Sequence, residues 1–231
     1  MIADRVAAVR ERIARAAARA GRAAGDVTLV AVSKTQPPPA VREAYAAGVR
    51  DLGENRVQEA EAKAAALADL GGPGLRWHLV GHLQSNKAKK AASLFAWIHS
   101  VDGAPIGRRL DEAAAAAGRD LRALVQVELV PEETKSGLDE SQLLPALESL
   151  RGLATVKVVG LMALPPYEED PERTRPHFRR LRTLRDRAQA EGLLQGGELS
   201  MGMSHDLEVA VEEGATLVRV GTAIFGERRP A

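Results

Sequence analysis

Three stretches of the chain carry residue types that could do chemistry. Lys34 ends the apolar run Thr28–Ser33. A lysine there has two readings: its ammonium points into solvent, or it projects into a partly desolvated mouth. In the second case its pKa falls, more of the amine is neutral, and it can form a Schiff base with an aldehyde. The other two stretches suit an anion. Ser200-Met201-Gly202-Met203-Ser204 opens a helix, and Arg219-Val220-Gly221-Thr222 offers the same groups at the next loop. Glycine lets backbone approach a ligand, and serine hydroxyls with free N–H groups at a helix start can hold an anion. Taken singly, each stretch reads as a helix N-cap. Together, at adjacent loops, they favour a phosphate site.

Positioning these groups requires a scaffold, and the hydropathy pattern supplies one. Strand-like runs fall at Thr28–Ser33, Val49–Leu52, Arg76–Val80, Ala96–Val101, Leu121–Leu129, Thr155–Leu161, Glu198–Met201 and Thr216–Val220. Helical stretches alternate with them. Among these are an amphipathic helix ending near Gly21, one over about Arg56–Leu70, one over Ser141–Leu150 and a long one over Pro171–Ala190. Gly71–Gly74 is a turn cluster. Eight alternating strands imply parallel pairing through right-handed crossovers, and 231 residues suit one closed barrel. The expected fold is therefore a single (β/α)8 TIM barrel over residues 1–231. Leu164–Asp170 is too short to separate two cores.

Such barrels carry their chemistry on loops after the carboxyl ends of the strands. The distinctive residues fall there repeatedly: Lys34, Gly53-Glu54-Asn55, Gly81 to Lys87, Asp102, Lys135-Ser136-Gly137, Met162, Ser200 to Ser204, and Arg219 to Thr222. His82 and His205 lack metal-ligand spacing and are expected to be structural or peripheral. Asp102 reads as a loop cap. Lys87, Lys89 and Lys90, and the arginines from Arg173 to Arg187, read as solvated helix faces.

Composition narrows the function classes. Thirty-two basic residues balance 31 acidic ones, which gives no electrostatic footprint for nucleic acid or an anionic membrane. There is no cysteine, so disulfides, thiolate metal sites and cysteine nucleophiles are excluded. No apolar run is long enough to span a bilayer, and the Arg-dotted start lacks the apolar centre of a signal peptide. A cytoplasmic location is expected.

Several motifs together resemble a known family. Ala31-Val32-Ser33-Lys34-Thr35, Gly53-Glu54-Asn55, Trp77-His78, Leu83-Gln84-Ser85-Asn86-Lys87, Ser136-Gly137, Gly160-Leu161-Met162 and the run from 199 to 226 occur in the expected order over nearly the whole chain. They resemble the proline synthase co-transcribed proteins, also called pyridoxal phosphate homeostasis proteins. The resemblance implies a barrel similar to the N-terminal domain of alanine racemase, with pyridoxal 5′-phosphate on Lys34. It also implies that Arg219 faces the pyridine nitrogen, that Ser200, Ser204, Gly221 and Thr222 hold the phosphate, and that Asn55 and Met162 line the ring pocket. Arg56 stands where the family pattern has an aromatic residue. Family members resemble carriers or buffers of the free cofactor, with cofactor-dependent apo-enzymes as recipients.

A carrier, rather than an enzyme, is the expectation. An arginine at the pyridine nitrogen disfavours its protonation and weakens the ring as an electron sink. Racemases with such an arginine add a tyrosine base from a further domain. Here only Tyr45 and Tyr167 are present, one reading as helix packing and the other as a loop residue. A small amino-acid racemase is the main alternative, and a cofactor-free aldolase-like barrel the weaker one, because an aldolase lysine usually follows a later strand. A monomer is expected.

Overall fold

The computed structural model describes residues 1–70, 74–130 and 136–227. Lys135 of the sequence reading, and Gly71–Pro73 of the turn cluster, lie outside the described residues. Eight short strands form the centre: β1 (Thr28–Val32), β2 (Asp51–Glu54), β3 (Arg76–Leu79), β4 (Trp97–Val101), β5 (Leu121–Glu128), β6 (Val156–Met162), β7 (Glu198–Ser200) and β8 (Leu217–Val220). Each pairs in parallel with its neighbours in chain order, and β1 pairs with β8, so the sheet closes on itself. The expected barrel is what the chain forms.

Strand geometry alternates side chains between two faces, and the register fixes which residues point inward. Val30 lies opposite Asp51 on β2 and Arg219 on β8; Gly53 lies opposite His78, and Met162 opposite Ser200. A small apolar cluster of Val30, Trp97, Leu124, Val159, Met162 and Leu217 fills part of this interior. The larger core lies outside the barrel, between strands and helices, with Phe95, Phe178 and Leu147 fully buried.

The outer helices are held by narrow apolar faces. Helix α1 (Ile2–Arg19) buries Val6, Val9, Ile13, Ala16 and Ala17, a helical repeat. It packs on α2 (Pro38–Ala46) and on the last two helices, α8 (Leu207–Glu212) and α9 (Thr222–Phe225). Between them in the chain lie α3 (Val57–Ala66), α4 (Ala88–Leu94), α5 (Ala104–Ala116), α6 (Glu140–Leu150) and α7 (Arg175–Ala190).

Most strand boundaries agree with the sequence reading to within one residue, and three elements differ by more. Strand β2 starts at Asp51, two residues later than expected, because the Val49 N–H is spent on the Ala44 carbonyl at the end of α2. Gly53 and Glu54 consequently belong to the strand and not to the loop after it. The helices expected over 56–70 and 171–190 each include a 3-10 turn, at Ala68–Leu70 and Pro171–Thr174. Leu138–Asp139, unanticipated, pairs in parallel with the end of β5, and Asp139 then caps α6.

Candidate functional site

Lys34 leaves β1 through a turn that is held on both sides. Ser33 is fully buried; its hydroxyl donates to Glu54 Oε1 at 2.5 Å. Lys63 of α3 donates to the Ser33 carbonyl (2.5 Å), to Glu54 Oε1 (2.7 Å) and to Glu59 Oε1 (2.8 Å). Glu59 in turn accepts from the Thr35 N–H at 2.5 Å. Burial pushes the Glu54 carboxyl up, against the hydrogen bonds from Lys63 and Ser33 that hold it down. Thr35 adopts φ 66°, the one non-glycine residue with positive φ among those described. That conformation is costly for a β-branched residue and persists where surroundings over-determine it. The clamp on residues 33 and 35 does so, and it turns Lys34 into the barrel mouth.

A cavity of about 320 Å³ lies there. Its lining includes Lys34, Asn55, Ser204, Arg219, Gly221 and Thr222. Six of the eight residues that the family resemblance assigns to the cofactor therefore meet around one space, although they come from four different strand ends. Asn55 is brought in by a close approach of two loops. At Gly81 a Cβ would sit 2.4 Å from the Asn55 carbonyl oxygen, so no side chain fits.

The loop after β7 and the start of α9 are tied together, because the Ala223 N–H donates to the Ser204 hydroxyl at 3.2 Å. Gly202 makes the turn possible with φ 88°, and its carbonyl accepts from the Arg219 N–H at 2.9 Å. From the outside, Arg12 of α1 pairs with Glu208 (2.5 and 2.7 Å) and donates to the Ser204 carbonyl (2.9 Å).

The remaining two residues lie beneath the cavity. Met162 is fully buried within the apolar interior cluster. Ser200 is also fully buried, and its hydroxyl oxygen meets His99 Nδ1 at 2.8 Å and accepts from Arg219 at 2.5 Å. This corrects the reading of Ser200 as a phosphate-holding hydroxyl: the side chain is committed to Arg219 from below. Arg219 also donates to the Ala163 carbonyl at 2.9 Å. Burial lowers its guanidinium pKa to about 10, with the Asp206 charge acting against that fall. It stays a cation at neutral pH.

Sequence reading missed what lies further down. His99 Nε2 is 2.9 Å from His78 Nδ1, and His78 Nε2 is 2.9 Å from Asp51 Oδ1. Arg76 closes the far end with two bonds of 2.6 Å to Asp51. Both histidines are fully buried, and burial lowers both pKa values, His99 the more strongly. The available signal was inward parity: His78 and His99 are each the third residue of consecutive strands.

His205, expected to be structural or peripheral, and Tyr167, read as a loop residue, also line the cavity. Their rings lie 5.2 Å apart, and His205 Nε2 is 3.0 Å from the Glu169 carbonyl oxygen. Asp102, expected to cap a loop, instead lies 3.3 Å from His82 Nδ1. Among the described residues no group of His, Asp and Glu could hold a metal ion.

The chain matches the family model of the alanine racemase N-terminal domain over residues 5–229. It is 46% identical over 226 residues to a pyridoxal phosphate homeostasis protein of Aquifex aeolicus, covering 98% of each chain. It is 47% identical over 229 residues to the protein of that description from Pseudomonas aeruginosa, covering 98% of this chain and 96% of that one. Among solved structures it resembles PipY of Synechococcus elongatus with pyridoxal phosphate bound, at 45% identity and a TM-score of 0.86, covering 98% of this chain and all of that one. Alanine racemase of Clostridium difficile shares the fold at 15% identity and a TM-score of 0.70, over 89% of this chain and 53% of that one.

Proposed function

We propose, because the chain belongs to the pyridoxal phosphate homeostasis protein family, that it binds pyridoxal 5′-phosphate reversibly on Lys34 and acts as a carrier or buffer of that cofactor. The observation that carries this reading is the meeting of Lys34, Arg219 and the Ser204, Gly221 and Thr222 loops around one cavity. Its volume falls at the lower end of the roughly 300–1,000 Å³ of small-molecule sites. The donor set fits: an amine for the aldehyde, hydroxyl and backbone groups for the phosphate, and a donor-only cation for the ring nitrogen. Asn55 lines the ring space, and Ser200 and Met162 support it from below.

When bound, the cofactor supplies an aldehyde carbon for the lysine and an electron-poor ring. Lys34, oriented by its clamp, holds the first. Arg219 can only donate hydrogen bonds, so it holds an unprotonated ring nitrogen, and a ring without that proton is a weaker electron sink. This supports a holder rather than a turnover enzyme. Among the described residues only Met1 and Tyr167 are large apolar side chains left exposed, which supports a monomer that exchanges cofactor with apo-enzymes.

The purified protein is expected to acquire a visible absorbance band with pyridoxal phosphate, and borohydride is expected to fix the cofactor to Lys34 in a peptide map. A Lys34→Ala variant that keeps the same band and the same bound cofactor would show the assignment to be wrong. Loaded protein is expected to activate the apo form of a pyridoxal phosphate enzyme. The position of Tyr167 and His205 at the cavity favours a second reading, a small amino-acid racemase. A chiral assay over many amino acids decides between them: turnover lost in both Lys34→Ala and Tyr167→Phe would establish the racemase.

A further inference from the structure

The polar chain through the barrel has a direction, and its chemistry fixes that direction from both ends. An ionised carboxylate only accepts, and a guanidinium only donates. Asp51 is held ionised: burial alone would raise its pKa, but the hydrogen bonds from His78 and Arg76 bring it below the ordinary value. His78 must therefore present Nε2–H to Asp51. If His78 is neutral, its Nδ1 is an acceptor and takes Nε2–H from His99. His99 Nδ1 is then an acceptor and takes the Ser200 hydroxyl hydrogen. Ser200 oxygen is left to accept from Arg219, as its 2.5 Å contact requires.

One assignment thus satisfies every member: Arg219 to Ser200 to His99 to His78 to Asp51, with Arg76 closing the far end. A cationic His78 would break the order. It would donate to His99 Nε2, turn His99 to donate toward Ser200, and set two donors against one hydroxyl oxygen whose own hydrogen would need a new acceptor. Burial and the nearby Arg76 charge also oppose a cation at His78, with Asp51 acting the other way.

We propose that Asp51, His78, His99 and Ser200 are positioning residues for Arg219, a one-way chain that directs the guanidinium's remaining N–H groups into the cavity. The Ala163 carbonyl fixes a second edge of the guanidinium. A ligand atom facing Arg219 then meets donors of fixed aim, and a residue at the opposite end of β2 shares control of that aim. The inference rests on the pyridoxal phosphate reading for the identity of the ligand, but not for the order of the hydrogen bonds.

Two measurements test it. The first needs no cofactor: long-range nitrogen–proton NMR of the histidine rings in the full chain at neutral pH. Both His78 and His99 are expected as neutral Nε2–H tautomers, and in Asp51→Ala, where the acceptor for the His78 Nε2–H is gone, a changed or mixed tautomer pattern is expected at both. An Nδ1–H tautomer or an imidazolium at either ring in the native protein overturns the chain, as does a pattern in Asp51→Ala identical to the native one. The second compares the native protein with Ser200→Ala and His99→Gln for affinity and absorbance maximum with pyridoxal phosphate. Loss of a hydrogen bond to a charged group predicts a weakening of roughly 10- to 100-fold, with a shifted band. A folded Ser200→Ala with native affinity and band overturns the positioning role. Failure of the native protein to take up cofactor overturns the function proposed above instead, and the ring tautomers still decide the chain.

Discussion

Acidification from pH 7.5 to 5.5 is expected to destabilise the fold through the two buried histidines. Each has an ordinary value of 6.5 when exposed, and each is held below it by burial, His78 with Asp51 pulling the other way. A base with a depressed folded pKa contributes stability that is intact above 6.5 and is lost as pH falls, since the unfolded chain gains the proton first. For a group whose folded pKa lies below the window, the loss between pH 7.5 and 5.5 is about 1.4 kcal/mol. His99 is expected to give that full amount, and His78 a fraction of it, so the pair contributes between about 1.4 and 2.7 kcal/mol. Glu54 and Asp206 act with the opposite sign, because burial raises their carboxyls and the folded state takes up their protons first. A difference measurement removes them. Urea unfolding at a series of pH values, on the native protein and on His99→Gln, is expected to give pH dependences that differ by about 1.4 kcal/mol over the window. His99→Gln is expected to be less stable at pH 7.5 but flatter below it. Parallel curves for the two proteins would refute the claim that His99 is buried neutral.

Further outcomes follow from other contacts. Lys63→Met leaves Glu54 as a buried, uncompensated charge and is expected to cost about 3–5 kcal/mol in urea unfolding, with Glu54→Leu added on top recovering a large part. Gly202→Ala puts a methyl at φ 88° and 2.4 Å from the Ala210 Cβ; left-handed strain and overpacking together predict a loss of about 2–5 kcal/mol, seen as a lower urea midpoint. Arg12→Ala removes the outer tie on the Ser204 loop and is expected to weaken pyridoxal phosphate binding by about 3- to 10-fold while costing only about 1 kcal/mol of stability. Titration by absorbance and urea unfolding on the same sample separate the two effects.

The barrel and the rim were legible because each leaves a local trace. Short β-branched runs alternate with alanine-rich helical ones, and lysine, glycine and serine accumulate at run ends. The interior was not legible for a physical reason. Asp51, His78, His99, Ser200 and Arg219 come from five strands, and only the register of neighbouring strands reveals that their side chains share one space. His99 in particular lies inside the apolar run Ala96–Val101 and has no partner within reach along the chain. Lys63 was hidden in the same way, in a stretch whose alanines mark it as packing surface, although its ammonium is buried against Glu54. Ser200 was placed at the correct strand end, but its hydroxyl is taken up inside the barrel by His99 and Arg219, partners on other strands that its own stretch of sequence does not reveal.

The pairing of β1 with β8 also sets an order in time. Lys34 and its clamp are made early, whereas Arg219, Gly221 and Thr222 come from the last strand and helix. At about 5–20 residues per second, Arg219 is synthesised roughly 10–40 s after Lys34. During that interval the clamp can form from residues 33 to 63, but β1 has an open edge where β8 will pair, and α1 has no α8 or α9 to pack on. Arg12 waits likewise for Ser204 and Glu208. A growing chain therefore carries Lys34 well before it has a pocket to put around it. Retention of cofactor by the enclosed site must begin after the last strand has closed the ring, and any variant that slows closure lengthens the period in which Lys34 stands outside a finished cavity.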